Sequence, residues 1–238
     1  GTLPPTGIPS QTAQYGVALP FAFSNVTLNG AGFFSNGQNQ GALNVNAFGN
    51  VTLSGNVSLG GDTLIRGTEG ALTISGPVNL GGSTLTIINR TAMMTFSGDI
   101  SGSGGITMNG ASQNGLLLTG NNSYSGATSI EGDTFLIAGS NNALGSLAEA
   151  TSVQSTGALW LQGGITSNEA VSITGTGFNA TGALRNYSGN NTLGGNITLA
   201  GAVQINSANG TLHFANDFNA NQTLTLLTET AGSGIVFN

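Results

Sequence analysis

Residues 54–100 read SGNVSLGGDTLIRGTEGALTISGPVNLGGSTLTIINRTAMMTFSGDI, and one short pattern recurs through this stretch. Ser54-Gly55-Asn56-Val57 returns as Ser75-Gly76-Pro77-Val78 and again as Ser97-Gly98-Asp99-Ile100. Thr119-Gly120-Asn121 continues the series at nearly the same spacing. Self-similarity at a fixed period of about 22 residues is typical of repeat folds, in which each repeat is one structural unit.

Each repeat closes with a short strand-like segment: LTI at 72–74, MTF at 94–96 and LLL at 116–118. Segments of this kind bury one face, and the Gly-Gly, Asn-Gly and Ser-Gly pairs between them predict corners with positive φ. Three short strands in a repeat of this length make one coil of a solenoid. We therefore predict an all-β parallel β-helix (β-solenoid) of about nine to eleven coils, each of roughly 22 residues, as a single domain over residues 21–238.

The pattern returns far downstream. Residues 195–199 (GNITL) match residues 55–59 (GNVSL), and residues 210–214 (GTLHF) fall where residues 70–74 (GALTI) would be expected. This alignment predicts equivalent places in the coil for the two copies. It also predicts a ladder of polar side chains that hydrogen-bond from coil to coil at one corner; its members are Asn56, Asp99, Asn121 and Asn196.

The charge balance excludes several classes of partner. Charged residues make up 5% of the chain, lysine is absent, and three arginines face nine carboxylates, for a net charge of −6. So few cations cannot neutralise nucleic-acid phosphates or anionic lipid surfaces. No apolar run approaches the roughly 20 residues of a membrane-spanning helix, so we expect no membrane insertion. Cysteine is absent, and no pattern indicates a bound metal or other cofactor.

Residues 102–145 carry a family resemblance. They contain GSGGITM at 102–108, GLLLTGNNSYSGATSI at 115–130 and NNALG at 141–145. This segment resembles the passenger-associated transport repeat of bacterial autotransporter passengers. The resemblance implies a right-handed parallel β-helix at the bacterial surface or outside the cell, with a role in adhesion, aggregation or display. In one departure, the lysine that usually follows the Gly-Gly start is missing, and Met108 and Asn109 occupy that place.

Two small constellations could carry chemistry, and we expect neither to do so. His213, with Asp217 four residues later, could be a general base, but no serine motif accompanies the pair. Alignment instead makes His213 an outward strand residue equivalent to Thr73, Trp160 and Arg185. Glu131 and Asp133 could bind calcium or act as an acid and base, but a calcium site needs several more oxygen ligands. We predict that the chain is not an enzyme; the alternative is a carbohydrate-active enzyme on a lyase-like β-helix.

Trp160 lies between Leu159 and Leu161 and is predicted to point outward while these neighbours point inward. An outward tryptophan is either covered by a loop or part of a contact surface. The second possibility gives an alternative function, an adhesin or glycan-binding passenger fragment.

The ends of the chain suggest assembly. Pro4, Pro5 and Pro9 lie in an extended arm at residues 1–20, and Ile235-Val236-Phe237 forms an apolar strand at the other end. A solenoid without caps exposes backbone edges and apolar side chains, and a head-to-tail contact between such ends grows into a fibre. We therefore predict a non-enzymatic extracellular or cell-surface structural protein that assembles end to end. Its partner is a second copy, or a host-cell or matrix surface.

Overall fold

The computed structural model describes residues 25–46, 50–90, 92–109, 114–216, 218–219 and 221–238. These residues are almost entirely β-strand, turn and bend, with one short 3-10 turn at Phe178–Ala180. No helix in this part of the chain is long and apolar enough to cross a bilayer. The predicted arm at residues 1–20, with Pro4, Pro5 and Pro9, lies outside the described residues.

The strands form three parallel ladders, which we name faces A, B and C in the order in which the chain follows them around one coil. On face A the ladder is interrupted for two coils, in which the chain forms no strand. Its first part contains β1 (Asn25–Gly30), the first part of β6 (Asn56–Gly67), β8 (Val78–Asn79) and β11 (Ile100–Ser101), and its second part contains β18 (Thr166–Ser167), β21 (Asn191–Leu193), β23 (Thr211–Phe214) and β26 (Gly234–Phe237). Face B contains β4 (Leu43–Val45), the rest of β6, β9 (Leu85–Asn89), β12 (Ile106–Asn109), β14 (Thr128–Glu131), β16 (Thr151–Val153), β19 (Val171–Gly175), the first part of β22 (Ile197–Ser207) and β24 (Phe218–Asn219).

Face C is the most regular ladder. It contains β5 (Val51–Leu53), β7 (Leu72–Ile74), β10 (Met94–Phe96), β13 (Leu116–Leu118), β15 (Phe135–Ala138), β17 (Ala158–Gln162), β20 (Leu184–Ser188), the rest of β22 and β25 (Leu224–Thr228). Its nine strands define about eight turns, so the predicted parallel β-solenoid with a period near 22 residues is confirmed. The number of turns lies just below the predicted nine to eleven.

Two insertions interrupt the regular coils. Residues 31–42 leave the first coil and contain an antiparallel hairpin of β2 (Phe34–Ser35) and β3 (Gln38–Asn39). The second insertion, at residues 176–183, contains the 3-10 turn and lengthens its coil, so that Val171 pairs with Ile197, beyond the usual period.

The core is a continuous column of inward side chains. Three-residue strands alternate buried, half-buried, buried, as in Leu72-Thr73-Ile74 and Met94-Thr95-Phe96. Because the strands pair in register, the apolar residues of one coil stack on those of the next, as Ile74 does on Phe96. A single coil encloses no interior, so its apolar side chains are buried only by the coils that stack on it.

The downstream sequence match connects strands on different faces. Val57 is on face A, where it pairs with Val78, whereas Ile197 is on face B, where it pairs with Val171. The predicted equivalence of residues 55–59 and 195–199 is therefore wrong, and Asn196 does not belong to the corner of Asn56. The physical reason is that every face uses the same alternating strand and glycine-containing corner, so sequence alone does not distinguish one face from another.

The polar ladder is confirmed for its middle members. The backbone N–H of Asn121 donates to Oδ1 of Asp99 at 2.7 Å. The side chain of Asn121 in turn accepts a hydrogen bond from Nδ2 of Asn142 at 2.7 Å, which extends the ladder by one coil beyond the predicted set.

The glycines of the repeated Ser-Gly pairs serve a different purpose from the one predicted. A Cβ atom on Gly98 would lie 1.9 Å from the carbonyl oxygen of Gly76, and one on Gly76 would lie 2.0 Å from that of Gly55. Neither Gly76 nor Gly98 has positive φ. These glycines are needed because successive coils approach closely at this corner, whereas the Asn-Gly corners at Gly30 and Gly210 do have positive φ, as predicted.

Candidate functional site

The last coil of the solenoid exposes its interior. We name β24, β25 and β26 with their connections, residues 218–238, the terminal coil. Leu226 continues the core column above Ile205 but is 44% exposed, against 0% for Ile205. Phe237 continues the column above Phe214 and is 38% exposed, against 1% for Phe214. The same inward positions that are buried in the preceding coil are therefore open to solvent here.

The terminal coil also has an open backbone edge. Strand β25 pairs with β22 and strand β26 pairs with β23, and within the described part of the chain neither strand has a partner on its other side. Natural proteins usually block such edges with lysine, proline or inward-pointing charges. Between residues 221 and 238 the only charged residue is Glu229, and there is no proline. The edge therefore remains suitable for pairing with a further strand.

Three phenylalanines fix the shape of this surface. The rings of Phe214 and Phe237 are stacked, with centroids 5.0 Å apart and planes 4° apart. Phe218 is tilted against both rings at the same centroid distance of 5.0 Å. Such contacts add to the stabilisation from burial alone, so the exposed Phe237 is held in a defined position by its neighbours.

An ion pair holds the terminal coil on its outer side. Nη2 of Arg185 donates to both carboxylate oxygens of Glu229, at 2.9 and 2.8 Å. The Arg185 side chain is largely covered, and its Cζ atom lies 5.0 Å from the centre of the Trp160 ring. The sequence did not indicate this pairing, because Arg185 and Glu229 are 44 residues apart. Leu226 and Leu227 are further exposed residues of this surface that the sequence did not indicate, although LTL at 224–226 alternates as LTI at 72–74 does.

Among the described residues, the first coil lies farthest from the terminal coil. Its strands β1, β4 and β5 carry inward residues that continue the same column, and Val26, Leu43 and Val51 are only partly buried against it. Phe33 and Phe34, beside and within the hairpin, are exposed. Of the residues predicted for assembly, Ile235, Val236 and Phe237 thus lie together in the terminal coil, while Pro4, Pro5 and Pro9 fall outside the described residues.

Trp160 points outward, as predicted, and lies in a small apolar cluster separate from the main core. Its ring stacks on Phe135, with centroids 4.0 Å apart and planes 12° apart, and on Tyr187 on the other side. Phe178, in the inserted segment 176–183, packs against both Phe135 and Trp160. Trp160 is 9% exposed, so only a small part of the ring is open to a partner, and its contact role stays a prediction.

The inserted segment that covers Trp160 has an unusual backbone. Asn179 and Ala180, which are not glycines, have φ values of 50° and 55°. This left-handed conformation is unfavourable for a residue with a Cβ atom, more so for alanine than for asparagine. The neighbouring Phe178 packs onto the aromatic cluster.

Of the His213–Asp217 pair, the structure describes His213 alone. His213 is on face A between Thr192 and Val236, and its Nε2 is 2.8 Å from Oδ1 of Asn238. Its predicted equivalence to Thr73, Trp160 and Arg185 on face C is therefore wrong, for the same reason as the mismatch of faces described above. Asp217 lies outside the described residues.

The Glu131–Asp133 pair stands at a corner of the solenoid. Oε1 of Glu131 accepts a hydrogen bond from the Ser129 hydroxyl at 2.9 Å, Gly132 has a positive φ of 76°, and Asp133 is exposed. Among the described residues, no group of three or more histidine, cysteine, aspartate or glutamate side chains is arranged to hold a metal ion.

Comparison with known proteins does not identify the chain: no protein-family model, curated protein or solved structure matches it.

Proposed function

We propose that this chain is a non-enzymatic structural β-solenoid that assembles head to tail with further copies of itself. The observation that carries the proposal is the terminal coil, in which inward residues such as Leu226 and Phe237 are exposed above a fully buried column. Burying apolar surface stabilises by roughly 25 cal/mol per Å², and an additional coil would cover both side chains.

In this proposal the first coil and the terminal coil are complementary, because both are built from the same repeat and carry inward apolar residues at the same positions. The first coil offers partly buried aliphatic residues, Val26, Leu43 and Val51, and the terminal coil offers Leu226 and Phe237. The strands at both ends run parallel to their ladders, so a second copy continues each ladder in the same direction. A contact between two different ends does not close, and it therefore grows into a filament.

The place of action in this proposal is the outside of a bacterial cell. It is supported by the resemblance of residues 102–145 to the repeat of autotransporter passengers. A surface so poor in cations has little attraction for nucleic acid or anionic lipid. The proposed partners are therefore other copies of the chain or a neutral host-cell or matrix surface.

The proposal is tested by electron microscopy and light scattering of the purified chain, with and without a charge in the terminal coil. Leu226→Lys and Phe237→Lys place a positive charge on the stacking surface, and we expect both to give short single rods where the unsubstituted chain gives filaments. Thr198→Lys is the matched control, because Thr198 is an exposed residue of β22, which lies in the coil before the terminal coil. Filaments of unchanged length with Leu226→Lys and Phe237→Lys would contradict the proposal.

A deletion separates the contributions of the two ends. Removing residues 1–20 eliminates Pro4, Pro5 and Pro9 while leaving the terminal coil intact. If the arm of one copy binds the terminal coil of the next copy, the deletion abolishes filaments as Leu226→Lys does. Filaments that persist without the arm would assign the contact to the first coil itself.

A further inference from the structure

The interior of the first coil is covered, although the structure describes no strand beyond it. Its inward residues Leu28, Val45 and Leu53 are at most 6% exposed. At the terminal coil, which is open, the inward residues Leu226 and Phe237 are far more exposed. Because inward side chains are buried only by a neighbouring coil, the difference between the two coils requires a covering segment outside the described residues.

Strand β5 offers the edge with which such a segment can pair. The Val51 N–H donates to the Ala71 carbonyl, in the second coil. The Leu53 carbonyl accepts from the Ser75 N–H, in the same coil. Neighbouring residues of a strand direct their N–H and C=O groups to opposite sides, so Thr52 directs its own away from the second coil. No described strand lies on that side, and the edge is a template for a further strand.

The sequence that leads into β1 has the pattern of a face C strand. Residues 21–24 read FAFS, with apolar residues at the first and third positions and serine at the fourth. Strands β5 and β10 of face C, with the residue that follows each, read VTLS at 51–54 and MTFS at 94–97. Asn25, the next residue, pairs with Asn56 at the start of the following face A strand. Since the chain passes from face C to face A in each coil, residues 21–23 stand where the coil before β1 has its face C strand.

We infer that residues 21–23 form a parallel strand on the open edge of β5 and close the first coil. Phe21 covers Val51 and Phe23 covers Leu53, which extends the in-register stacking of β5 on β7 by one rung. Phenylalanine buries a large apolar area, which accounts for the low exposure of the interior of the first coil. The free backbone groups of β5 gain partners at the same time.

The corner between this strand and β1 lacks the glycine of the later Ser-Gly corners, for a physical reason. Gly76 is needed because its corner passes close to the corner of Gly55 in the coil before. Residues 1–20 contain no Ser-Gly or Ser-Asn pair. The corner at Ser24-Asn25 therefore has no such neighbour in the series, and it tolerates side chains.

The covering strand belongs to the same chain rather than to a second copy. Residues 21–23 are joined to β1 through a single residue, Ser24, so they reach the edge of β5 without the entropy loss of association. The inference therefore stands apart from head-to-tail assembly, because the strand completes the first coil of an isolated chain. In a filament, the same strand would be the face C element that meets β25 of the neighbouring copy.

Paired cysteines test the contact, since the chain has no cysteine of its own. In the inferred strand, Ala22 lies beside Thr52 at the roughly 4.8 Å spacing of neighbouring strands, which a disulfide can bridge. We expect Ala22→Cys with Thr52→Cys to form an intramolecular disulfide at least about tenfold more stable, in a glutathione redox buffer, than Ala22→Cys with Thr73→Cys. Thr73 is the matched control because it pairs with Thr52 and lies one coil further along the same column. Intact mass after alkylation counts the free thiols.

Hydrogen exchange of the Thr52 amide gives a second measurement, which requires no new bond. We expect this amide to exchange at least about tenfold faster in Phe23→Ser than in the unsubstituted chain. Phe34→Ser is the matched control, because Phe34 is exposed in the hairpin, and circular dichroism checks that both variants fold.

Two results would overturn the inference outright. One is a disulfide that forms as readily with Thr73→Cys as with Thr52→Cys, and the other is equal exchange of the Thr52 amide in Phe23→Ser and the unsubstituted chain. Protection of the Thr52 amide that is lost on dilution, together with a disulfide between two chains, would overturn it in favour of a second copy as the cover.

Discussion

Arg185 and Glu229 form an ion pair that joins the terminal coil to the outer face of the solenoid. Nη2 of Arg185 lies 2.9 and 2.8 Å from the two carboxylate oxygens of Glu229, and the guanidinium also lies over the Trp160 ring. Oε1 of Glu229 additionally accepts from Nδ2 of Asn206, in the coil between them. Among the described residues the terminal coil has a neighbouring coil on one side, and polar contacts that bridge three coils fix it there.

Replacing Arg185 is expected to loosen the terminal coil first. An exposed ion pair contributes up to about 1 kcal/mol, and a cation over an aromatic ring contributes about 0.5–2 kcal/mol. We expect Arg185→Met to lower the free energy of local opening of β25 by about 1–2 kcal/mol, and Glu229→Gln by less than about 1 kcal/mol. Hydrogen exchange of the amides of residues 224–228 measures this opening. Equal protection of these amides in Arg185→Met and the unsubstituted chain would show that the pair does not hold the coil.

Any side chain at the glycine of a Ser-Gly corner, such as Gly98, is expected to destabilise the solenoid. In Gly98→Ala the new Cβ would overlap the carbonyl oxygen of Gly76, which belongs to the backbone and cannot turn away. We expect a loss of about 2–4 kcal/mol in the free energy of unfolding, at or above the usual range for overpacking. Gly82→Ala is the matched control, because its Cβ would meet only Ser103 Oγ at 3.5 Å and its φ is not positive. Urea denaturation of both variants checks this, and similar midpoints would refute the close approach.

The sequence predicted the parts of this fold that repeat. The spacing of Gly55, Gly76 and Gly98 follows directly from the stacking of one coil on the next, since each of these corners must pass the corner before it. The alternation in Leu72-Thr73-Ile74 likewise follows from one buried face. The period, the fold class and the inward residues can therefore be predicted from the sequence, because every coil packs on its neighbour in the same way.

Features that do not repeat were not predictable in the same way. Insertions such as residues 176–183 change the length of a coil, and the strands on all three faces look alike, so Ile197 was assigned to the wrong face. Among the described residues no other carboxylate is buried as Glu169 is, so its burial carries no periodic signal. The sequence does indicate an apolar strand at Ile235–Phe237. The ion pair between Arg185 and Glu229 is not predictable in this way, because it joins side chains two coils apart.

Asn191 is expected to be the most sensitive polar residue of the interior. It is fully buried, and its Oδ1 accepts hydrogen bonds from the backbone N–H groups of Gly164 and Ile165 at 2.9 and 2.8 Å. Its Nδ2 donates to Oδ1 of Asn186, which is also fully buried. Asn191→Ala leaves these groups without partners, and each buried unsatisfied group costs about 1–3 kcal/mol.

We therefore expect Asn191→Ala to lower the free energy of unfolding by about 3 kcal/mol or more. Asn190→Ala is the matched control: Asn190 is exposed, and its Oδ1 accepts one hydrogen bond, from the Thr211 N–H at 3.0 Å. Its replacement is expected to cost less than about 1 kcal/mol, since water can satisfy the Thr211 donor. Thermal unfolding followed by circular dichroism compares the two. A smaller loss for Asn191→Ala than for Asn190→Ala would contradict the buried network.

Glu169 is expected to make the stability of the chain depend on pH. Burial raises the pKa of its carboxyl from 4.5 to about 7, against the opposing effect of the nearby Thr151 hydroxyl. Burial, with a smaller contribution from the Glu169 charge, raises the pKa of Tyr124 well above its ordinary value, so Tyr124 stays protonated in this range. Between pH 4.5 and about 7 the folded chain holds a proton on Glu169 that the unfolded chain has released.

Because the folded state binds more protons in that window, the free energy of unfolding falls as pH rises from about 4.5 to about 7 and then levels off. We expect Glu169→Gln to remove this loss, so that the variant is more stable than the unsubstituted chain by roughly 1–3 kcal/mol at pH 8 and nearly equal to it at pH 4. Urea denaturation at both pH values measures the difference, with Glu149→Gln as the exposed control that leaves the pH dependence in place. A Glu169→Gln variant whose stability changes with pH as that of the unsubstituted chain does would show that the Glu169 carboxyl is not the source of the pH dependence.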